Sequence, residues 1–198
     1  LLEGERCRLR LEFKEEGVLA RALSPLPEAG DQLRIVLLAS LLKGGDFEHL
    51  LRGATETGAS LILPVEAIRS VSRIPQGDRG RKIARWRRVL EEASCQCGAA
   101  RVPEIAEPAP LREVLSGNLP LLRLAGILQE GSVPLAGIAP AGEVAVAIGP
   151  EGDWDDGEKR ALAEAGFIPV NLVPRILKAF TAAVVACSYL FLSWEGRE

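Results

Sequence analysis

The sequence predicts an α/β protein built on a mostly parallel sheet, preceded by the remainder of a small β unit. Three observations carry this expectation. Residues 33–40 (LRIVLLAS), 60–65 (SLILPV) and 143–148 (EVAVAI) are near-continuous apolar runs, the pattern of strands buried on both faces. Segments with helical spacing fall between them, so strands and helices alternate along the chain. Residues 5–13 (ERCRLRLEF) instead alternate polar with apolar, as a half-buried antiparallel strand does.

Taken in order, Val18 to Leu23 is the expected hairpin partner of that first strand, across a turn at Lys14–Gly17. The stretch Pro25–Gly30 (PLPEAG) breaks the pattern and reads as a linker. Two strands are too few for an independent domain, so residues 1–30 read as part of a β domain and 31–198 as the main domain. After the 33–40 strand, Asp46–Thr57 has the pattern of a helix, with Gly58 placed to end it. The 60–65 strand and a helix over Lys82–Ser94 follow. Leu121–Leu128 and Glu143–Ile148 are expected strands, the second being the clearest of all. Asp155–Ala165 is an expected helix: Asp155 and Glu158 have capping-box spacing, and Gly166 stands where a helix-ending glycine belongs. Residues 168–173 (IPVNLV) are strand-like, and Thr181–Trp194 is an apolar helix.

Composition narrows the function classes. The 198 residues are 47% hydrophobic and 26% charged, an ordinary globular mixture. No apolar run approaches the ~20 residues of a membrane-spanning helix, and no export signal is seen, so a cytoplasmic protein without membrane contact is expected. A single histidine, His49, excludes a histidine-rich metal site. Cys95 and Cys97 are too close in sequence for the usual zinc hook, so no metal is expected and the four cysteines read as reduced thiols. The chain contains no Met and begins Leu1-Leu2, from which a preceding N-terminal part is expected. The net charge of −3 hides an uneven distribution. Arg69 to Arg101 holds nine basic and three acidic residues, +6, which leaves −9 elsewhere. Such a band suits phosphate binding. It equally suits a solvated helix face, because Arg81, Lys82, Arg85 and Arg88 recur at helical spacing.

Ligands on parallel sheets bind at loops beyond the C-terminal ends of strands. Three such loops stand out. Gly149-Pro150-Glu151-Gly152 follows the 143–148 strand; its glycines would let a ligand approach the backbone, and Pro150 stiffens the turn. An ordinary strand-to-helix turn would look the same. Val173 to Ala182 (VPRILKAFTA) is an apolar loop that runs into a helix, able to clasp a flat heterocycle or simply to cross over buried. Ile127 to Gly131 (ILQEG) also follows a strand and is a weak signal alone.

Together these segments resemble the bacterial family that methylates N3 of a uridine in small-subunit (16S) ribosomal RNA, the RsmE-like family of the knotted SPOUT methyltransferases. The resemblance includes Lys43-Gly44, Ala54-Thr55-Glu56 with Gly58, Arg69-Ser70-Val71, Glu92-Ala93 with Gln96, and Val102-Pro103. It continues through Ile148-Gly149-Pro150-Glu151-Gly152 with Glu158, then Arg175-Ile176-Leu177 and Thr181-Ala182. It implies a C-terminal domain with a deep trefoil knot, a rare exception to the rule that chains do not thread. It implies S-adenosylmethionine as cofactor, held in the knot by Leu128, Gly149, Pro150, Glu151, Gly152, Leu172, Ile176, Leu177 and Thr181, largely through backbone atoms. It implies RNA contacts at Lys43, Arg52, Arg69, Arg73 and Arg101. It also implies an N-terminal PUA-like barrel and a homodimer formed through the last helix, whose face carries Val184, Val185, Tyr189 and Leu192. The expected partner is the small ribosomal subunit or its RNA.

Uridine N3 carries a proton on the pairing edge, so the base must be exposed and the developing N3 anion favoured. Arg175 is the electrostatic candidate for that role. Glu151 and Asp153 lie beside the pocket with the wrong sign, and His49 is expected on a helix away from it, in a structural or exposed position. Trp86 is expected to pack its helix on the sheet rather than to stack on a base. Several family positions differ here: Gly45-Asp46 and Gly53 replace lysines, Ile68 a Glu, Ala99 an Arg, Asp153 a Gly and Phe180 a Glu. The backbone-shaping Gly and Pro residues are mostly kept. The alternative reading is therefore a divergent RNA-binding dimer of the same fold, with catalysis weakened or lost or with another RNA target.

Overall fold

The alternation read from the sequence becomes an eight-stranded parallel sheet. The computed structural model describes residues 7–14, 16–25, 33–140 and 142–195. The chain divides into two units, Leu1–Gln32 and Leu33–Glu198. In the first, β1 (Cys7–Lys14) and β2 (Gly17–Pro25) form an antiparallel hairpin, with Lys14 opposite Gly17 and an irregularity between Arg8 and Leu9. Register puts Phe13 opposite Val18 and Leu11 opposite Ala20. Leu11, Phe13 and Val18 thus share one apolar face, and all three are exposed. The expected linker after Pro25, and with it the expected boundary at residue 30, lies outside the described residues.

In the second unit the elements are β3 (Arg34–Ser40), α1 (Asp46–Glu56), β4 (Ala59–Glu66), α2 (Arg79–Cys97), β5 (Glu104–Ile105), β6 (Ala109–Pro110) and α3 (Leu111–Leu115). Then come β7 (Leu122–Gly126), β8 (Val133–Pro134), β9 (Glu143–Ile148), α4 (Asp156–Glu164), β10 (Ile168–Asn171) and α5 (Ala179–Glu195). The sheet runs β5-β4-β3-β9-β7-β10-β8, with β6 also on β4, and every pairing is parallel. Both faces are covered, which explains the unbroken apolar runs. On one face Ile35, Leu37, Ala39, Val144, Val146 and Ile148 pack with residues of α1, α2 and α5. On the other, Val36, Leu38, Ala145 and Ala147 pack with Trp154, Leu162 and Leu111. Each strand feeds its alternate side chains to two cores.

Several expected elements have different bounds in the structure. The 121–128 strand stops at Gly126 and the 168–173 strand at Asn171, so Leu128, Leu172 and Val173 lie in loops although their apolarity suits a strand. α2 begins at Arg79, three residues before the expected start, because its first turn is held by ion pairs rather than an apolar stripe. Arg79 lies 2.6 Å from Glu66 and donates to the Pro108 carbonyl at 2.7 Å. The strands β5, β6 and β8 have two residues each and leave no periodicity to read.

The capping box of α4 is formed as expected: Asp155 accepts from the N–H groups of Gly157 and Glu158, and Glu158 accepts from the N–H of Asp155. α5 closes on α1 through glycine. A Cβ on Gly53 would run into Cγ2 of Val184, and one on Gly58 would come within 2.6 Å of the Phe191 ring. Gly53 therefore serves helix packing.

Candidate functional site at the C-terminal sheet edge

Because the strands are parallel, the loops after β3, β4, β7, β9 and β10 all open at one edge of the sheet. β9 lies between β3 and β7, so the loop 149–155 occupies the middle of that edge. It is braced from both neighbours on the β3 side. The Lys43 N–H donates to Glu151 at 3.4 Å, and Arg69 Nη1 donates to the Gly152 carbonyl at 3.2 Å. The Ile68 N–H donates to Glu158, a buried carboxylate, at 2.8 Å. Inside the loop, the Asp153 N–H closes a turn on the Pro150 carbonyl at 3.0 Å.

Gly149 has a different reason from the one expected. The space above it is filled by the fully buried Trp154 indole: a Cβ at Gly149 would lie 3.0 Å from Trp154 Nε1. This glycine makes room for an indole inside the chain. Asp153 stands at φ +60, a conformation that favours glycine, which accounts for the glycine expected there by resemblance. Its carboxylate compensates, accepting from the Trp154 N–H at 2.8 Å and pairing with Lys159 at 2.6 Å.

On the β10 side, the loop after β7 is folded by a residue the sequence reading passed over. Ser132 donates to the Ile127 carbonyl at 2.8 Å and accepts from the Gln129 N–H at 3.2 Å, beside Gly131 at φ +83. The Gly-Ser pair after an apolar run was the available signal. Gly126 was also passed over. A Cβ there would come within 3.1 Å of Ile148 and 3.6 Å of Leu172, so this glycine lets the β10 loop close over the end of β7. In the loop after β10, Arg175 donates its N–H to the Val173 carbonyl at 2.7 Å, a tight local turn, and the Ala182 N–H donates to the Lys178 carbonyl as α5 begins.

The outcome is an exposed apolar pair on neighbouring loops: Leu128 is 59% exposed and Ile176 is 90% exposed. Leu177 is half-buried and Arg175 exposed beside them. Among the described residues, the N–H groups of Leu128, Ile176 and Leu177 make no hydrogen bond. Thr181 is half-buried in the first turn of α5. His49, expected away from these loops, is next to the last of them. Its ring stands edge-on to Phe180 with centroids 6.2 Å apart, and Lys178 lies 5.9 Å from the same ring. α1 and α5 pack together, which brings residues 49 and 180 into proximity across a long sequence gap.

Of the expected RNA contacts, Lys43, Arg69 and Arg73 are exposed on loops of this edge, and Arg52 is half-buried in mid-α1. Arg101 lies past the far end of α2, a helix of 19 residues and hence roughly 28 Å long, so the structure does not bring it to the others. The basic band is also partly paired in the fold. Arg79 pairs with Glu66, Arg81 with Asp78 and Arg85 with Glu48. Donating to the Glu48 carboxylate raises the Arg85 guanidinium above its usual range. Trp86 is buried against Phe47 with ring centroids 4.6 Å apart, a packing role.

A doubly covered parallel sheet with paired apolar loops beyond β7 and β10 and cations on the loops beyond β3 and β4 defines an α/β protein with a candidate ligand site at its C-terminal sheet edge. The family follows from sequence: residues 29–191 match the RNA methyltransferase domain, and the chain belongs to that family. It is 32% identical over 171 residues to the ribosomal RNA small subunit methyltransferase E of Synechocystis, covering 80% of this chain and 53% of that protein. With the Mycobacterium bovis protein of the same name it shares 31% over 159 residues, 77% of this chain and 60% of that one. The chain thus spans little more than half the length of these relatives. Among solved structures, a ribosomal RNA small subunit methyltransferase E from Neisseria gonorrhoeae bound to S-adenosyl methionine superimposes with a TM-score of 0.82 at 28% identity, over 97% of this chain and 80% of that one. A Legionella pneumophila methyltransferase in complex with the same cofactor gives the same score and identity.

Proposed function

We propose that this chain is an S-adenosylmethionine-dependent RNA methyltransferase that acts on uridine N3 in small-subunit ribosomal RNA. The observation that carries this reading is the juxtaposition at one sheet edge of exposed Leu128 and Ile176 with the unbonded N–H groups of Leu128, Ile176 and Leu177. Apolar walls and free main-chain donors suit a ligand that joins a flat heterocycle to a polar tail. The cofactor's fit is thus supported by residues present here, and by relatives whose structures hold it. When bound, S-adenosylmethionine supplies an electrophilic methyl group.

The chain's own residues would do the rest by positioning. Gly149 to Gly152, Leu172, Ile176, Leu177 and Thr181 would shape the cofactor pocket. Lys43, Arg69, Arg73 and, further off, Arg52 and Arg101 would hold RNA phosphates. Arg175, exposed beside Ile176, would stabilise the N3 anion formed once the N3 proton has passed to solvent water. The strand order β9-β7-β10, with α5 returning across the sheet to α1, supports a knotted crossing. The apolar hairpin face of Leu11, Phe13 and Val18 supports a small PUA-like barrel. A homodimer would use the outer side of α5, where Leu192 is 66% exposed. Two residues of the face expected there are engaged within the chain, Val184 on Gly53 and the Tyr189 hydroxyl donating to the Ala136 carbonyl at 2.8 Å. No helix among the described residues is long and apolar enough to cross a membrane, and the setting proposed is the cytoplasm, at the small ribosomal subunit.

Methyl transfer from labelled S-adenosylmethionine to intact small subunits and to naked rRNA tests this reading. The expected result is label on one uridine of the small-subunit RNA. Cofactor binding without transfer to either substrate would assign the chain instead to RNA binding without catalysis. Absence of cofactor binding would overturn the reading altogether.

A further inference from the structure

We propose that Arg69 couples RNA binding to cofactor binding, acting as a bridge between a phosphate of the RNA and the loop 149–155. The inference rests on the methyltransferase reading above and assigns Arg69 a positioning role within it. Arg69 is exposed, as a phosphate ligand must be, yet it is also built into the cofactor loop. Its Nη1 donates to the Gly152 carbonyl at 3.2 Å. Its aliphatic stem covers Gly152: a Cβ there would lie 3.4 Å from Arg69 Cβ and 3.7 Å from Arg69 Cδ. The segment carrying it is fixed at the neighbouring residue, where the Ile68 N–H donates to buried Glu158, the α4 residue whose carboxylate also accepts from the N–H of Asp155 at the end of the same loop. Arg73 tightens the segment from the other side by donating to the Ile68 carbonyl at 3.1 Å.

A guanidinium has five N–H donors in a rigid fork. One is spent on Gly152, and the others remain for a bidentate contact with phosphate, so both partners can be held at once. A phosphate on that fork fixes the guanidinium, and through it the Gly152 carbonyl and the loop below. Ordering that loop in advance removes part of the entropy cost of cofactor binding, so each ligand tightens the other. Lysine cannot serve in the same way, because a point charge held by a phosphate has no planar fork to present to Gly152.

The test is the affinity of S-adenosylhomocysteine, an unreactive cofactor analogue, measured by calorimetry with and without a saturating small-subunit rRNA transcript. The unaltered chain should bind it roughly tenfold more tightly with RNA present, within the usual range of coupling between sites. Arg69→Ala and Arg69→Lys should both bring that ratio to about one, Lys while keeping more of the RNA affinity. Lys43→Ala, which keeps the backbone bond to Glu151, should weaken RNA binding and keep the ratio. The proposal is overturned by a ratio of one in the unaltered chain, by an unchanged ratio in Arg69→Ala, or by equal loss of coupling in Lys43→Ala. Those results leave the methyltransferase reading standing, whereas failure of the analogue to bind at all would remove both.

Discussion

The Asp153 carboxylate holds the Lys159 ammonium at 2.6 Å while the Asp153 backbone sits at φ +60. The side chain thus offsets a conformation that its own Cβ disfavours. Replacing Asp153 by Ala keeps the Cβ and removes both side-chain bonds, which should cost about 1–2 kcal/mol. Asp153→Gly loses the same bonds but relieves the backbone and should be close to neutral. Lys159→Ala should cost less than about 1 kcal/mol, since the pair is partly solvated. Urea unfolding of the three variants checks the order; equal stability of the Ala and Gly variants would show that the backbone carries no strain.

Gly149 and Trp154 form a second coupled pair. A methyl group on Gly149 meets the fully buried indole at 3.0 Å, so Gly149→Ala should destabilise by roughly 1–3 kcal/mol and weaken cofactor binding with it. Shrinking the partner with Trp154→Phe creates a void of its own, but it also makes room. The double variant should therefore be more stable than the two single costs predict, by an interaction of about 1 kcal/mol. Strict additivity in thermal unfolding would show that the two residues do not compete for this space.

Ile176 separates binding from stability. At 90% exposure its removal costs the fold little, and Ile176→Ser should leave unfolding within about 0.5 kcal/mol of the unaltered chain. If this side chain covers the cofactor, burial of its apolar surface contributes about 1–2 kcal/mol to binding, so affinity should fall roughly five- to thirtyfold. Calorimetry with S-adenosylhomocysteine reads this directly. Unchanged affinity would move the pocket away from the β10 loop.

Most of the sheet was legible because burial on both faces writes a one-dimensional signal. Glu143–Ile148 needs no partner to be recognised, and Asp155 with Glu158 marks a helix start locally. The site was legible as loops but not as a constellation. Nothing in a linear reading places Ile68 beside Glu158, 90 positions away, or His49 beside Phe180. The purpose of a glycine was likewise hidden: Gly149 reads as permissive backbone and instead receives the Trp154 indole, while Gly126 and Gly53 meet side chains from other elements, Ile148 and Val184. The basic band was visible as a sum, while two of its three ion pairs among the described residues depend on Glu48 and Glu66, which lie outside the band in sequence.

Cys187 supplies a prediction with a defined pH window. It is fully buried in α5 between the helices and the sheet, and that burial pushes its thiol from an ordinary 9.0 up to about 12, opposed only in part by a hydrogen bond with the Thr57 side chain. The folded state therefore keeps a proton that the unfolded chain gives up above 9.0. Protons bound by the unfolded state are fewer in that range, so this group's contribution is fully present below pH 9, is lost progressively as pH rises, and reaches its full loss near 12. Cys187→Ala should lower stability at pH 7 through the cavity it leaves, yet flatten the decline between pH 8.5 and 10.5 relative to the unaltered chain. Alkylation gives an independent reading. Exposed Cys95 and Cys97 should react with iodoacetamide in the folded protein at neutral pH, and Cys187 only after unfolding. Parallel pH–stability slopes for the two chains, or labelling of Cys187 at the rate of Cys95, would show that α5 opens to solvent without global unfolding.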